Sequence, residues 1–164
     1  MTQWLDDSMG FLWYQMPMQS DAKARPVNIL FVCVGNSCRS QMAEALAIHW
    51  GQGQVRAWSA GSHPLGRIVP ETYDVLQEKG LSLDGHWSKG LDAVPVSDMD
   101  VVVGMGCEVS CPVPVGFKGR VVEWSIPDPY GGDLDDFRAV RDLIERQVTA
   151  LLEGLKDEGS SVKG

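Results

Sequence analysis

Eight consecutive residues, Cys33-Val34-Gly35-Asn36-Ser37-Cys38-Arg39-Ser40, combine a thiol, a small flexible turn, a guanidinium and a hydroxyl. Gly35, Asn36 and Ser37 let successive backbone N–H groups turn to one side and form a concave anion site. Arg39 adds a planar fork suited to two oxygens of a tetrahedral anion. The same positive field favours thiolate over thiol at Cys33, and the Ser40 hydroxyl can donate to that sulfur. Val34 to Ser40 are therefore the expected oxyanion-binding residues, and Cys33 the expected nucleophile. A nucleotide-binding loop would end in Gly-Lys-Ser/Thr, which Cys38-Arg39-Ser40 does not supply. The alternative is a buried inert cysteine beside a surface arginine.

Three other features bear on the chemistry. Asp128 opens the run Asp128-Pro129-Tyr130-Gly131-Gly132 and can serve as general acid, although Asp-Pro before Gly-Gly is also plain turn chemistry. Cys107 and Cys111 allow three readings: buried residues, zinc ligands together with Cys33 and Cys38, or a thiol relay that resolves an adduct on Cys33. A disulfide between Cys107 and Cys111 needs a local bend, because disulfide geometry is strict. His49, His63 and His86 lack sequence neighbours that would complete a triad or a metal site, so each reads as structural or surface.

These residues need a scaffold that brings them to one edge. Val27 to Cys33 is short, apolar and β-branched, as in a buried parallel strand. Gln41 to Trp50 is helical, with Ala43, Leu46, Ala47 and Trp50 on one face and Gly51 and Gly53 as its stop. Strands are expected over Val55 to Ala60, Asp100 to Gly104 and Arg120 to Trp124, and helices over Pro70 to Lys79 and about Leu134 to Leu155. The last helix carries an inward stripe of Phe137, Val140, Ile144, Val148, Leu151 and Leu155. Alternation of this kind predicts a three-layer α/β/α domain on a four-stranded parallel sheet, in which loops at the strands' carboxyl ends hold the ligand.

At 164 residues the chain fits one domain, here 27–156, with an N-terminal extension over 1–26 and a polar tail over 157–164. The extension reads as a poorly ordered tail, or as preceding a true start at Met16 or Met18. Alternatively, its aromatics Trp4, Phe11, Trp13 and Tyr14 dock on the body or on a second copy. A net charge of −8 argues against general affinity for nucleic acid or anionic membrane. No apolar run is long enough to span a bilayer and no secretory leader is evident, so a reducing cytoplasmic location is expected. There, four cysteines suit catalysis, redox work or metal binding better than a disulfide framework.

The run from Val27 to Ala45 resembles the signature of low-molecular-weight protein-tyrosine phosphatases and their arsenate reductase relatives, and the likeness extends to about Leu155. It implies Cys33 as nucleophile, Arg39 as anion binder, Ser40 as thiolate support, Asn36 as loop organiser and Asp128 as general acid. Gln41 after Arg39-Ser40, the run from Ser59 to Pro64, Ser88-Lys89-Gly90-Leu91 and the Cys107/Cys111 pair are similar to the reductases. Asp128-Pro129-Tyr130-Gly131-Gly132 is similar to bacterial phosphatases. The implied activity is arsenate reduction with Cys107 and Cys111 as the relay, and the alternative is phosphate-monoester hydrolysis. A binding domain that senses anions without turnover is a third reading. The expected reductant is thioredoxin, glutaredoxin or a low-molecular-weight thiol, with no tightly bound cofactor and a monomeric chain. Some relatives hold potassium with a carboxylate where this chain has Lys89, whose ammonium can fill that role, so no required metal is expected. A protective disulfide between Cys33 and Cys38 is a further expectation.

Overall fold

A computed structural model describes residues 25–106 and 113–161. The described residues form four strands: β1 (Val27–Cys33), β2 (Val55–Gly61), β3 (Val101–Met105) and β4 (Arg120–Trp124). They also form three α-helices: α1 (Arg39–Gly51), α2 (Pro70–Gln77) and α3 (Leu134–Ser161). All strand pairs are parallel, in the order β2-β1-β3-β4. The chain therefore goes from β1 to one side and then returns to the other, which makes the gap after β1 and β3 the switch point where such sheets bind ligands. The anion loop and Gly106 both leave the sheet there.

β1 is central, and its residues Ile29 to Val32 are fully buried because both faces are covered. Ile29 and Phe31 pack with Met42 and Leu46 of α1, Val75 and Leu76 of α2, and Phe137, Ile144 and Val148 of α3. Leu30 and Val32 face the opposite way, against Ala60, Val94, Met99 and Val102. The three layers are thus unequal. Two 3₁₀ turns, Leu91–Ala93 and Val96–Asp98, with Val113 and Phe117, cover the second face.

Several boundaries differ from the sequence expectation, each for a local reason. Helix α1 retains Gly51, where a Cβ would lie 2.3 Å from Val55, and the left-handed turn falls on Gln52 and Gly53. Trp50 does not join the inward face of Ala43, Leu46 and Ala47; it is 42% exposed, and its indole N–H donates to Glu145 at 3.0 Å. Helix α2 stops at Gln77, and Lys79 and Gly80 continue as a tighter turn bonded three residues back. Helix α3 starts where predicted, with Asp133 and Asp136 capping each other's N–H groups. It runs on to Ser161, past the expected end and into the expected polar tail. Leu152, one position from the predicted Leu151, is the deeply buried residue of its last turns. Among the described residues, no helix is long and apolar enough to cross a membrane.

Candidate active site

Strand β1 delivers Cys33 to the carboxyl edge of the sheet, and the loop that follows is held from outside by its carbonyl groups. The carbonyls of Cys33, Val34 and Gly35 accept the N–H groups of Ser62, His63 and Leu65 at 3.0, 2.8 and 2.9 Å. The Ser37 carbonyl accepts the Val69 N–H at 3.2 Å and the Thr72 hydroxyl at 2.9 Å. In a planar trans peptide the next N–H points the opposite way, so those of Val34, Gly35, Asn36 and Cys38 turn inward. The Asn36 N–H accordingly reaches Cys33 Sγ at 3.3 Å. Helix α1 begins immediately afterwards. Its Cys38 N-cap makes no side-chain capping bond and its first turn carries no acidic residue, which leaves the helix N–H groups for an anion. Gly61 permits this packing, because a Cβ there would lie 2.6 Å from the Val34 carbonyl oxygen.

Asn36 sits in the left-handed region at φ 47°, an uncommon conformation for a residue with a side chain. Its amide holds it there. Oδ1 accepts the Lys89 N–H at 3.0 Å and Gln41 Nε2 at 2.9 Å, while Nδ2 donates to Ser40 Oγ at 2.7 Å. Ser40 Oγ accepts the Asn36 amide and lies 3.0 Å from Cys33 Sγ, so it is the donor to that sulfur when Cys33 is the thiolate, which has no hydrogen to give. Cys33, Asn36 and Ser40 are essentially excluded from solvent.

Arg39 arrives from the first turn of α1 and is clamped from the far side of the switch point. Its Nη1 donates to the carbonyls of Met105 at 2.8 Å and Ile126 at 3.1 Å, and its Nη2 lies 3.3 Å from Asp128 Oδ2. Asp128 is half exposed, and its other oxygen accepts the Tyr130 N–H at 3.1 Å. Cys33, Arg39 and Asp128 thus border one open cavity of about 290 Å³. His63, Leu65 and Tyr130 complete its wall. None of the three was singled out for the site from sequence; for Tyr130 a signal existed in its place two residues after Asp128. Gly106 was missed as well. It takes φ +77°, and a Cβ there would lie 2.6 Å from Arg39 Nη1.

Cys38 also borders the cavity, but burial pushes its thiol up to about 11, against an opposing hydrogen bond with Ser37. Behind the loop lies a polar cluster. Glu44 accepts the Ser59 hydroxyl and has His86 Nδ1 at 3.7 Å and Lys89 Nζ at 3.9 Å. Burial lowers the Lys89 pKa and Glu44 opposes that shift. His86 has no sequence neighbour to complete a triad or a metal site, and its partners in the fold, Glu44 and Gln41, are both far away in the chain. Among the described residues no group of three or more His, Cys, Asp or Glu is arranged to hold a metal. Cys107 and Cys111, and with them the relay and zinc readings, lie outside the described residues.

Comparison with known proteins agrees with this geometry. The family model described as low molecular weight phosphotyrosine protein phosphatase matches residues 28–161. A Synechocystis protein named glutaredoxin arsenate reductase is 34% identical, over 76% of this chain and 95% of its own. A solved structure of an arsenate reductase in the phosphate binding state superposes with a TM-score of 0.70 at 33% identity, over 78% of this chain and 98% of that one. A Corynebacterium glutamicum thioredoxin-dependent arsenate reductase also gives a TM-score of 0.70, at 27% identity, over 85% of this chain and 67% of its own. The parallel sheet, the Cys33–Ser40 loop at its switch point and these matches together place the chain in the low molecular weight phosphotyrosine protein phosphatase family, alongside its arsenate reductases.

Proposed function

We propose that the chain reduces arsenate to arsenite in the reducing cytoplasm, acting as a monomer. The observation that carries the reading is the convergence of Cys33, Arg39 and Asp128 on one cavity, with Asp128 Oδ2 3.3 Å from Arg39 Nη2. The names of its relatives favour arsenate over phosphate as the substrate. Arsenate docks on the inward N–H groups and the Arg39 fork, and the Cys33 thiolate attacks arsenic while Asp128 gives a proton to the departing oxygen. The Cys107 thiolate then attacks Cys33 Sγ. The S–S bond forms as the S–As bond breaks, and its electron pair stays on arsenic, which leaves as arsenite. Cys111 takes over the disulfide with Cys107 and frees Cys33, and an external dithiol of the thioredoxin or glutaredoxin kind reduces the pair. Lys89 supplies the charge that potassium brings in some relatives, 3.9 Å from Glu44, so the reaction needs no metal.

The test is arsenate turnover coupled to thioredoxin or glutaredoxin, run beside hydrolysis of a chromogenic aryl phosphate. Cys33→Ala should abolish both activities, and residual arsenate reduction by that variant would sink the scheme. Cys107→Ser should abolish arsenate reduction and spare ester hydrolysis; full reduction by Cys107→Ser would remove the relay. A phosphatase reading draws support from one feature, the half-exposed Leu65 and Tyr130 at the cavity wall, which suit an aryl or alkyl group on the phosphate. In that reading water, assisted by Asp128, hydrolyses a phospho-Cys33 intermediate, and Cys107→Ser leaves the main activity intact.

A further inference from the structure

We propose that the segment Phe11-Leu12-Trp13-Tyr14 docks, within its own chain, in a groove along the amino edge of the sheet, opposite the anion site. Two cavities of about 70 and 440 Å³ share Val27 and Leu155 and form this groove. Its floor is apolar for a geometric reason. Helix α3 has 28 residues and is about 42 Å long, whereas strands of five to seven residues reach only about 23 Å. Starting from the carboxyl edge, α3 meets Val27, the first residue of β1, at Leu155. It meets Arg120, the first residue of β4, at Glu158, 2.7 Å away. Beyond that line no strand remains for the helix to rest on. Val27, Val55 and Leu155 are consequently only half-buried, and Trp50 at the rim is 42% exposed. A contiguous apolar lip of this kind marks a surface that another segment covers.

The occupant follows from where the chain enters. Arg25, the first described residue, forks onto Asp100 with Nη1 at 2.8 Å and Nη2 at 2.7 Å, and both residues line the larger cavity. Residues 1–24 therefore join the body inside the groove itself. Val27 pairs with Val55, so the smaller, apolar cavity lies one strand spacing away. From β4 to β2 the groove crosses three such spacings, about 15 Å. Ten residues separate Tyr14 from Arg25, and a coil of that length averages about 17 Å end to end. A tether matched to its span gives the highest effective concentration, which favours the chain's own segment over that of a second copy. Phe11-Leu12-Trp13-Tyr14 is the longest apolar run in residues 1–24, and it lies outside the stretch shared with the family.

The experiment puts the photo-crosslinker p-benzoylphenylalanine in place of Leu12 in the full chain, irradiates dilute protein and maps the product by mass spectrometry. The cross-link should join position 12 to residues 50–55 or 152–159 of the same chain. Leu155→Lys, which sets a charge in the shared floor, should lower its yield about tenfold. Should Leu155→Lys fail to fold by urea midpoint, Trp50→Ser at the exposed rim serves the same purpose. Hydrogen exchange supplies an independent reading: Phe11→Ser/Trp13→Ser should speed exchange of residues 152–161 about tenfold and leave residues 33–40 unchanged. Cross-links mapped elsewhere on the body, or a yield untouched by the folded groove variant, would overturn the proposal. So would exchange at residues 152–161 that does not respond to Phe11→Ser/Trp13→Ser. Cross-links confined to dimers would assign the groove to a second copy instead and overturn it equally. No part of the test requires turnover, so the reductase reading stands or falls separately.

Discussion

Two cysteines share the cavity, and their surroundings assign them different work. Cys33 accepts the Asn36 N–H and has the Ser40 hydroxyl 3.0 Å from its sulfur, whereas Cys38 is held as a thiol chiefly by burial, its pKa pushed up to about 11 from 9.0. The sign of the consequence follows from linkage. Between those two values the unfolded chain has released the Cys38 proton and the folded chain still binds it, so Cys38 contributes stability below the lower value and loses it as pH rises through the upper one. Urea midpoints of the wild type should therefore fall more steeply between about pH 9 and pH 11 than those of Cys38→Ser. Parallel curves would show that the burial of Cys38 has no such effect. At this scale much of the site was legible. Cys33, Asn36, Arg39 and Ser40 fall within eight consecutive residues, and their side chains alone state the chemistry. His86 and His63 were not legible, because no spacing announces which distant loop will fold back onto Gln41 or onto the cavity.

Elements explain how a loop only eight residues long becomes rigid. The amino end of α1 supplies Arg39, but the ends of β3 and β4 fix where its guanidinium lies, through the Met105 and Ile126 carbonyls. Gly106 makes that approach feasible, since any side chain there would both meet Arg39 Nη1 at 2.6 Å and have to adopt φ +77°. Gly106→Ala should destabilise the fold by about 1–3 kcal/mol and weaken phosphate binding about tenfold or more, as measured by urea unfolding and calorimetric titration. Unchanged phosphate affinity in a folded Gly106→Ala protein would refute the clamp. Element existence was readable from hydrophobic period and breakers, as β1 and β4 show. Element ends were less so. Local composition makes the region after Leu155 look like a tail, yet helix α3 continues to Ser161, with Arg120 holding Glu158 at 2.7 Å. Trp50 shows the converse: an apolar period assigned it to the core, but its indole N–H found Glu145 at the surface.

For the whole molecule, alternation of strands and helices predicted a parallel sheet, but strand order and the cover of each face are decided by long-range packing. The sheet order β2-β1-β3-β4 puts the longest-range pairings at the centre, and nothing in a linear pattern states that all three described helices share one face. The site inherits this long-range character. Arg39 is tied to carbonyls 66 and 87 residues further along the chain, so a complete anion site exists only once β1, β3 and β4 have assembled. An oxyanion that needs all of those parts binds the native state and has no counterpart to bind in the unfolded chain. At a hundred times its dissociation constant such a ligand adds about 2.7 kcal/mol to stability. Inorganic phosphate, with the same tetrahedral shape as arsenate, would act through Arg39 as a folding ligand. The ion that competes with arsenate for the cavity would then also protect the enzyme from unfolding and proteolysis while it waits for arsenate to arrive.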